Sequence, residues 1–161
     1  MLTLTGCGTG FSAQTNQQYD AAVGSNHRGG EIDVLNALFV DNADGTATFS
    51  AAILNKGTNV HILNSVMTTT DAGTAIASTL TKPQELRSQL VYSPGKKGDI
   101  VMTGSFPAGG FVKITLDFDG VAPLTINAPV VTRNSIYDNV AKRPAAPKSS
   151  ARVKDIASLG N

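Results

Sequence analysis

The sequence predicts an all-β fold, an immunoglobulin-like or cupredoxin-like antiparallel β-sandwich, and three observations predict it. Apolar residues between positions 31 and 133 recur with a period of two. The apolar runs are short and are separated by clusters of Gly, Asn, Asp and Pro. No long stretch carries the 3.6-residue period of an amphipathic helix. A period of two puts alternate side chains on opposite faces of a pleated strand, so each run offers one face for burial. About seven such runs, punctuated by turn residues, are the pattern of a two-layer sandwich. A small closed β-barrel has the same periodicity and stays open as the alternative.

Taken in order, Ile32 to Val40 is apolar almost throughout and reads as a strand covered on both faces. Asp41-Asn-Ala-Asp-Gly45 follows as a hairpin loop. It has oxygen ligands at close spacing, but no twelfth-position Glu and no flanking helices, so it is not an EF-hand calcium loop. Ala47, Phe49, Ala51 and Ile53 then form one strand face, and Thr46, Thr48, Ser50 and Ala52 the other. Val60 to Met67 reads as a strand with His61, Leu63 and Met67 on one side and Val60 and Ile62 on the other. Leu86, Ser88, Leu90 and Tyr92 give a weaker alternation, and Ile100 to Phe106 an apolar run. Val112, Ile114, Leu116 and Phe118 alternate with Phe111, Lys113, Thr115 and Asp117, and Leu124 to Val131 closes the set. Turns are expected at Asn55-Lys-Gly57, Asp71-Ala-Gly73, Pro94-Gly-Lys-Lys-Gly98, Pro107-Ala-Gly-Gly110 and Asp119-Gly120.

Four segments follow from composition. Residues 1–7 are the end of a signal peptide, truncated in this chain. Residues 8–30 are rich in Gly, Ser, Gln, Asn and Thr and read as a flexible linker, with His27 solvated beside Arg28. Residues 31–138 form the sandwich, and residues 139–161 a basic, Pro-, Ala- and Ser-rich disordered tail. The net charge is +1, which gives no support to nucleic-acid binding. The charge is unevenly spread. Lys142, Arg143, Lys148, Arg152 and Lys154 stand against Asp155 alone, giving the last twenty residues +4 and the rest −3. No run approaches the roughly 20 apolar residues of a spanning helix.

Cys7 is the only cysteine, so no internal disulfide forms. It closes the motif Leu4-Thr5-Gly6-Cys7, which resembles the bacterial lipobox. Small side chains at Thr5 and Gly6 let an extended backbone enter a protease cleft. The Cys7 sulfur is nucleophilic enough to take a diacylglyceryl group. Cleavage then exposes Cys7 as the N-terminus, and two or three acyl chains of the palmitate type hold a protein stably where one does not. Only six residues precede Cys7, so a basic start and most of the apolar core of a signal peptide would lie upstream.

Two groups of short motifs carry a further resemblance: Ala51-Ala-Ile-Leu-Asn-Lys-Gly57, Leu63-Asn-Ser-Val66 and Asp71-Ala-Gly73, then Pro94-Gly95, Ile100-Val-Met-Thr-Gly104, Phe111-Val-Lys-Ile-Thr-Leu-Asp-Phe118 and Ala128-Pro-Val130. Over about residues 47 to 131 these resemble the early and the closing stretches of the bacterial extracytoplasmic copper-chaperone family PCu(A)C. The resemblance implies a cupredoxin-like sandwich and Cu(I) held by two His and two Met, soft donors that suit that ion. At the matching points this chain has Ser78 for the first His and Asp99 and Val101 for the final His-x-Met pair. The segment that would carry the first Met is shortened around Lys82 to Gln89. All four family ligands are missing. A substitute soft site from His61, Met67 and Met102 is conceivable, although two methionines at strand positions are more often core.

The remaining chemistry is sparse. A nucleophile–His arrangement needs an oriented imidazole, and His61 is alone in the folded part, so an enzyme is not expected. Asp99, Asp117 and Asp119 read as solvated or capping carboxylates. Gly8 and Gly10 open no helix after a strand and make no nucleotide site. The expected protein is a non-enzymatic lipoprotein on the extracytoplasmic face of the cell membrane. It would be anchored by lipid, contain no resident cofactor, and bind an envelope protein or ligand or serve a structural role. The alternative is a copper-chaperone-like protein with divergent Cu(I) ligands.

Overall fold

A computed structural model describes residues 23–104 and 109–142. Ten strands follow one another: β1 (Ser25–His27), β2 (Ile32–Asp41), β3 (Thr46–Asn55), β4 (His61–Thr69), β5 (Ala75–Leu80), β6 (Gln84–Leu86), β7 (Val91–Tyr92), β8 (Ile100–Thr103), β9 (Phe111–Phe118) and β10 (Leu124–Thr132). Single 3₁₀ turns lie at Pro94–Lys96 and Ser135–Tyr137, and no α-helix occurs among the described residues.

Seven strands close into a ring in the order β2, β3, β8, β5, β4, β9, β10 and back to β2. The ring is a sandwich whose two layers join along both edges. Two strands make the joins by changing partner halfway. β5 pairs β4 through Ala75 and Ile76, then β8 through Ala77 to Leu80. β10 pairs β9 from Leu124 to Pro129, then β2 from Val130 to Thr132. Pro129 sits at that changeover, where a residue without an N–H costs the ladder least. β1, β6 and β7 add short flanking pairings to β2, β4 and β3.

All pairings are antiparallel except one. Val130, Val131 and Thr132 run parallel to Phe39, Val40 and Asp41. A closed ring with an odd number of strands cannot alternate direction throughout, so one parallel contact is obligatory. The antiparallel β-sandwich expected from sequence is the architecture observed, with this single parallel contact added by ring closure.

The interior is apolar. Phe39 and Phe49 meet with ring centroids 5.2 Å apart and planes tilted by 51°. Val34, Ile53, Leu63, Leu86, Ile100, Met102, Ile114 and Leu116 are fully buried around them. Burying each of these side chains contributes about 1.5–3 kcal/mol. The alternation read on β9 is the one observed, with Val112, Ile114, Leu116 and Phe118 inside.

A smaller apolar cluster lies outside the ring. Leu38, Val40 and Val140 are buried together, with Val131 and Tyr137 against them. Residues 134–142 therefore form a strap across the outer face of β2 and β3. Arg133 fixes it: its guanidinium donates to the carbonyls of Tyr137 (3.0 Å) and Val140 (2.8 Å) and to Asn42 Oδ1. Asn42 in turn donates to the hydroxyls of Thr46 and Thr48. This explains why Thr46 and Thr48, expected on the exposed face of β3, are buried.

Three other differences have local causes. Ser25–His27, inside the segment read as linker, pairs with β2, and the Ser25 hydroxyl donates to the Asn127 carbonyl. Ala75–Leu80 is a strand that the sequence hides, because its alternation rests on Ala, Ser and Thr. The single strand expected through Leu86 and Tyr92 is two short ones, broken at Gln89, which has φ +59°.

The two ends of the ring differ. The lower end is built by the residues around Glu31, Asn55 to His61, Leu86 to Leu90 and Asp119. The upper end is built by the β2–β3 hairpin at Asp41 to Thr46, the β4–β5 turn and the start of β9.

Candidate functional site

Among the described residues, a cluster of ionisable side chains around buried His61 joins separate loops at the lower end. His61 opens β4 and is 4% exposed. Its Nδ1 is 2.8 Å from the Asp119 carbonyl, which can only accept, so Nδ1 carries the proton. Its Nε2 is 2.8 Å from a carboxylate oxygen of Glu31. Two acceptors facing two ring nitrogens favour the doubly protonated ring. The Asp119 carbonyl first, and then Glu31, raise the His61 pKa above its ordinary value against the opposing effect of burial. The Asp119 carboxylate accepts from the Ile62 N–H. Beside this group Lys56 pairs with Asp33 at 2.9 Å, and the Lys56 N–H donates to the Glu31 carbonyl. Burial raises the Asp33 pKa, but the bonds from Lys56 and the Gly29 N–H outweigh it and hold the carboxyl below its usual range.

Asn55 binds the neighbouring loops. It is fully buried, donates to the carbonyls of Asn59 and Leu86, and accepts from the Gly57 N–H. A Cβ at Gly57 would lie 2.7 Å from a Glu31 carboxylate oxygen, so a side chain there would push Glu31 away from its present position. The arrangement pins loops from four parts of the chain. It offers no nucleophile beside a free base.

The three residues considered as a soft metal site are not brought together. Met67 is 57% exposed, whereas His61 is buried. The β4 register slips between Leu63 and Ser65, and one extra residue reverses the side on which every later residue faces. Met67 therefore does not share the face of His61 and Leu63, as strict alternation would have it. Met102 is buried opposite Ala47, at the upper end of β3, while His61 lies by Asn55 at its lower end. Eight residues of strand separate those levels, about 26 Å. Both ring nitrogens of His61 are already engaged. Leu4, Thr5, Gly6 and Cys7 lie outside the described residues.

Of the positions set against the copper ligands from sequence, Ser78 and Val101 lie on neighbouring strands and Asp99 just before β8. Ser78 on β5 is opposite Met102 on β8, and Val101 is opposite Thr79. The side chains there do not fit Cu(I). Val101 is buried hydrocarbon and Ser78 a hydroxyl. Asp99 is a hard oxygen donor whose Oδ2 accepts from the Tyr92 hydroxyl at 3.0 Å. Burial, with Asp99 adjacent, pushes the Tyr92 phenol far above its usual range, so it remains a donor. No group of three or more His, Cys, Asp or Glu side chains is placed to hold a metal among the described residues.

Glu31 and Asn55 were not singled out as site residues from sequence, and Asp119 was read only as a turn residue and a solvated or capping carboxylate. Each acts through a fold-dependent contact at a distance of 30 or more residues, and a lone Glu or Asn between strands carries no motif. Asn55 was read only as a turn residue.

No family model matches the chain, and no curated protein matches it. Comparison of structures finds solved PCuAC domains. The apo PCuAC domain from PmoF1 aligns with a TM-score of 0.53 and 16% identity, over 68% of this chain and 100% of that one. The copper-bound PCuAC domain from PmoF2 aligns with a TM-score of 0.51 and 15% identity, over 68% of this chain and 99% of that one. At such identity the likeness shows the fold. The chain has the copper-chaperone-like β-fold that the resemblance in its sequence implied.

Proposed function

We propose that this chain is a non-enzymatic module of the cell envelope, anchored by lipid on Cys7 and held on the extracytoplasmic face of the membrane, where the β-fold binds another envelope molecule or serves a structural role. The observation that carries the proposal is the position of the only cysteine, in Leu4-Thr5-Gly6-Cys7, a short polar segment ahead of a folded all-β unit. The described residues supply support of a second kind. Their one buried imidazole is occupied by Glu31 and the Asp119 carbonyl, which leaves it to hold loops rather than to move protons. Fractionation of cells expressing the full-length gene tests the anchor. The native protein is expected in the detergent phase, and a Cys7→Ser variant in the aqueous phase. Partition of both into the aqueous phase would refute it.

A second function has one observation in its favour, the likeness to a domain solved with copper bound. In that case the chain delivers Cu(I) through ligands other than the family's set. Titration with Cu(I) under reducing conditions separates the two. Tight binding that is lost in His61→Ala supports the metal carrier. Absence of tight binding leaves the envelope module.

A further inference from the structure

We propose that a polar cavity on the outer face of β3 is a binding site for a small hydroxylated carboxylate, a ligand of the sugar-acid class; this rests on neither the lipid anchor nor the copper alternative. The cavity measures about 210 Å³, and four parts of the chain meet around it. Its floor is Ser50 and Ala52, which face outward because Phe49, Ala51 and Ile53 face the core. On one side the β2 register slips between Leu35 and Leu38, and Asn36 stands there with φ +51°. Two bonds hold it in that conformation. Its N–H donates to Asn26 Oδ1, and its own Oδ1 accepts from the Gly24 N–H. Its Nδ2 is left over as a donor.

On the other side lies the 3₁₀ turn, with Ser93, Gly95 and Lys96. Gly95 sits directly on β3, since a Cβ there would come within 2.8 Å of the Ser50 hydroxyl. Asn139 and Val140 of the strap close the cavity. The Ala141 N–H donates to the Gly95 carbonyl and fastens the strap to the turn. The walls are therefore fixed by contacts that leave the polar side chains unspent.

The choice of ligand follows from those side chains. Among the described residues, Ser50, Ser93, Lys96 and Asn139 make no side-chain hydrogen bond and no ion pair. Ser and Asn side chains both donate and accept, as a ligand hydroxyl does. Lys96 is the cation on the wall, and no Asp or Glu lines the cavity. Asp138 adjoins Asn139 in sequence but is not on the wall, and Asp99 is bonded to the Tyr92 hydroxyl. One ammonium matches one negative charge, which a carboxylate brings. A phosphate monoester brings nearly two and is held best by an arginine fork, which is missing from this wall. The volume falls below the roughly 300–1,000 Å³ of pockets for drug-sized molecules and suits a single sugar ring.

The test is an NMR titration of the ¹⁵N-labelled full chain with sodium D-glucuronate at constant ionic strength, with D-glucose and sodium acetate as controls. Saturable shifts are expected at the amides of Asn36, Ser50, Ala52, Lys96 and Asn139. Glucuronate is expected to bind at least about tenfold more tightly than either control. Lys96→Gln should erase its advantage over glucose. Asn139→Asp, which puts an acid on the wall, should weaken glucuronate about tenfold. Both positions are exposed, and the spectrum of each variant reports its folding. Absence of saturable shifts at these amides, equal affinity for acetate, or binding indifferent to both substitutions would overturn the site. Shifts confined to the cleft at Phe111 or to the cavity at His27 and Glu31 would overturn it too.

Discussion

The two ends of the barrel are held by different means. At the lower end, side chains bond across loops far apart in sequence: Asn55 to Leu86, His61 to Glu31 and Asp119, Asp119 to Ile62. At the upper end the hairpin carboxylates of Asp41 and Asp44 bond within their own turn, where Gly45 takes φ +79°. The distant ties there run from Arg133 to Asn42 and from the Gly104 N–H to the Gly45 carbonyl. The lower end is a closed polar knot, and the upper end keeps an open apolar cleft. The lesson is that a burial-driven ring can be locked at one end and left available at the other. Surface function is then expected where the structure is not needed for locking.

That contrast predicts a gradient of mutational cost. Asn55→Ala should have the largest effect. It strands a fully buried carbonyl at Leu86 and frees two loops, at a cost of about 3 kcal/mol in urea unfolding. A change below 0.5 kcal/mol, on the order of a neutral surface substitution, would break the contrast.

His61→Gln should follow, at about 2 kcal/mol, and its cost should depend on pH. The folded-state pKa of His61 is raised, so its stabilisation is complete below the unfolded value of about 6.5 and is lost as pH rises through the folded value. Native stability should therefore fall across that window, and the fall should be missing in His61→Gln. Parallel profiles for the two proteins would contradict the pinning of His61 by two acceptors.

Arg133→Ala should cost about 1.5 kcal/mol, through bonds to Tyr137, Val140 and Asn42. Hydrogen exchange should accelerate over residues 134–142 and little at the lower end. Phe111→Ser should be the mildest, within about 0.5 kcal/mol, because the ring is half exposed at the open end. A larger loss would mean that the upper end is part of the lock.

Much of the fold was legible where a strand buries one face of strong hydrophobes. β9 is the clearest case, with Val112, Ile114, Leu116 and Phe118 inside and turns on either side. β5 was not legible, because Ala77 and Ser78 carry almost no hydrophobic contrast and tertiary pairing decides their state. Thr46 and Thr48 misled because a polar face can be covered by a strap folding back from ninety residues later. Met67 misled because a bulge in β4 leaves no mark in composition. The lower-end knot was half legible: His61 stood out as the imidazole within the segment read as the sandwich, but its partners are fixed only by ring closure. The set of Ser78, Asp99 and Val101 against the family's copper ligands rests on the sequence resemblance alone, and the fold adds only that Ser78 and Val101 lie on the paired strands β5 and β8.

The measurement that bears most directly on the account is the intact mass of the protein extracted from membranes of cells carrying the full-length gene. The expected species begins at Cys7 and bears a diacylglyceryl group on its sulfur. An uncleaved chain with a free Cys7 thiol would contradict it.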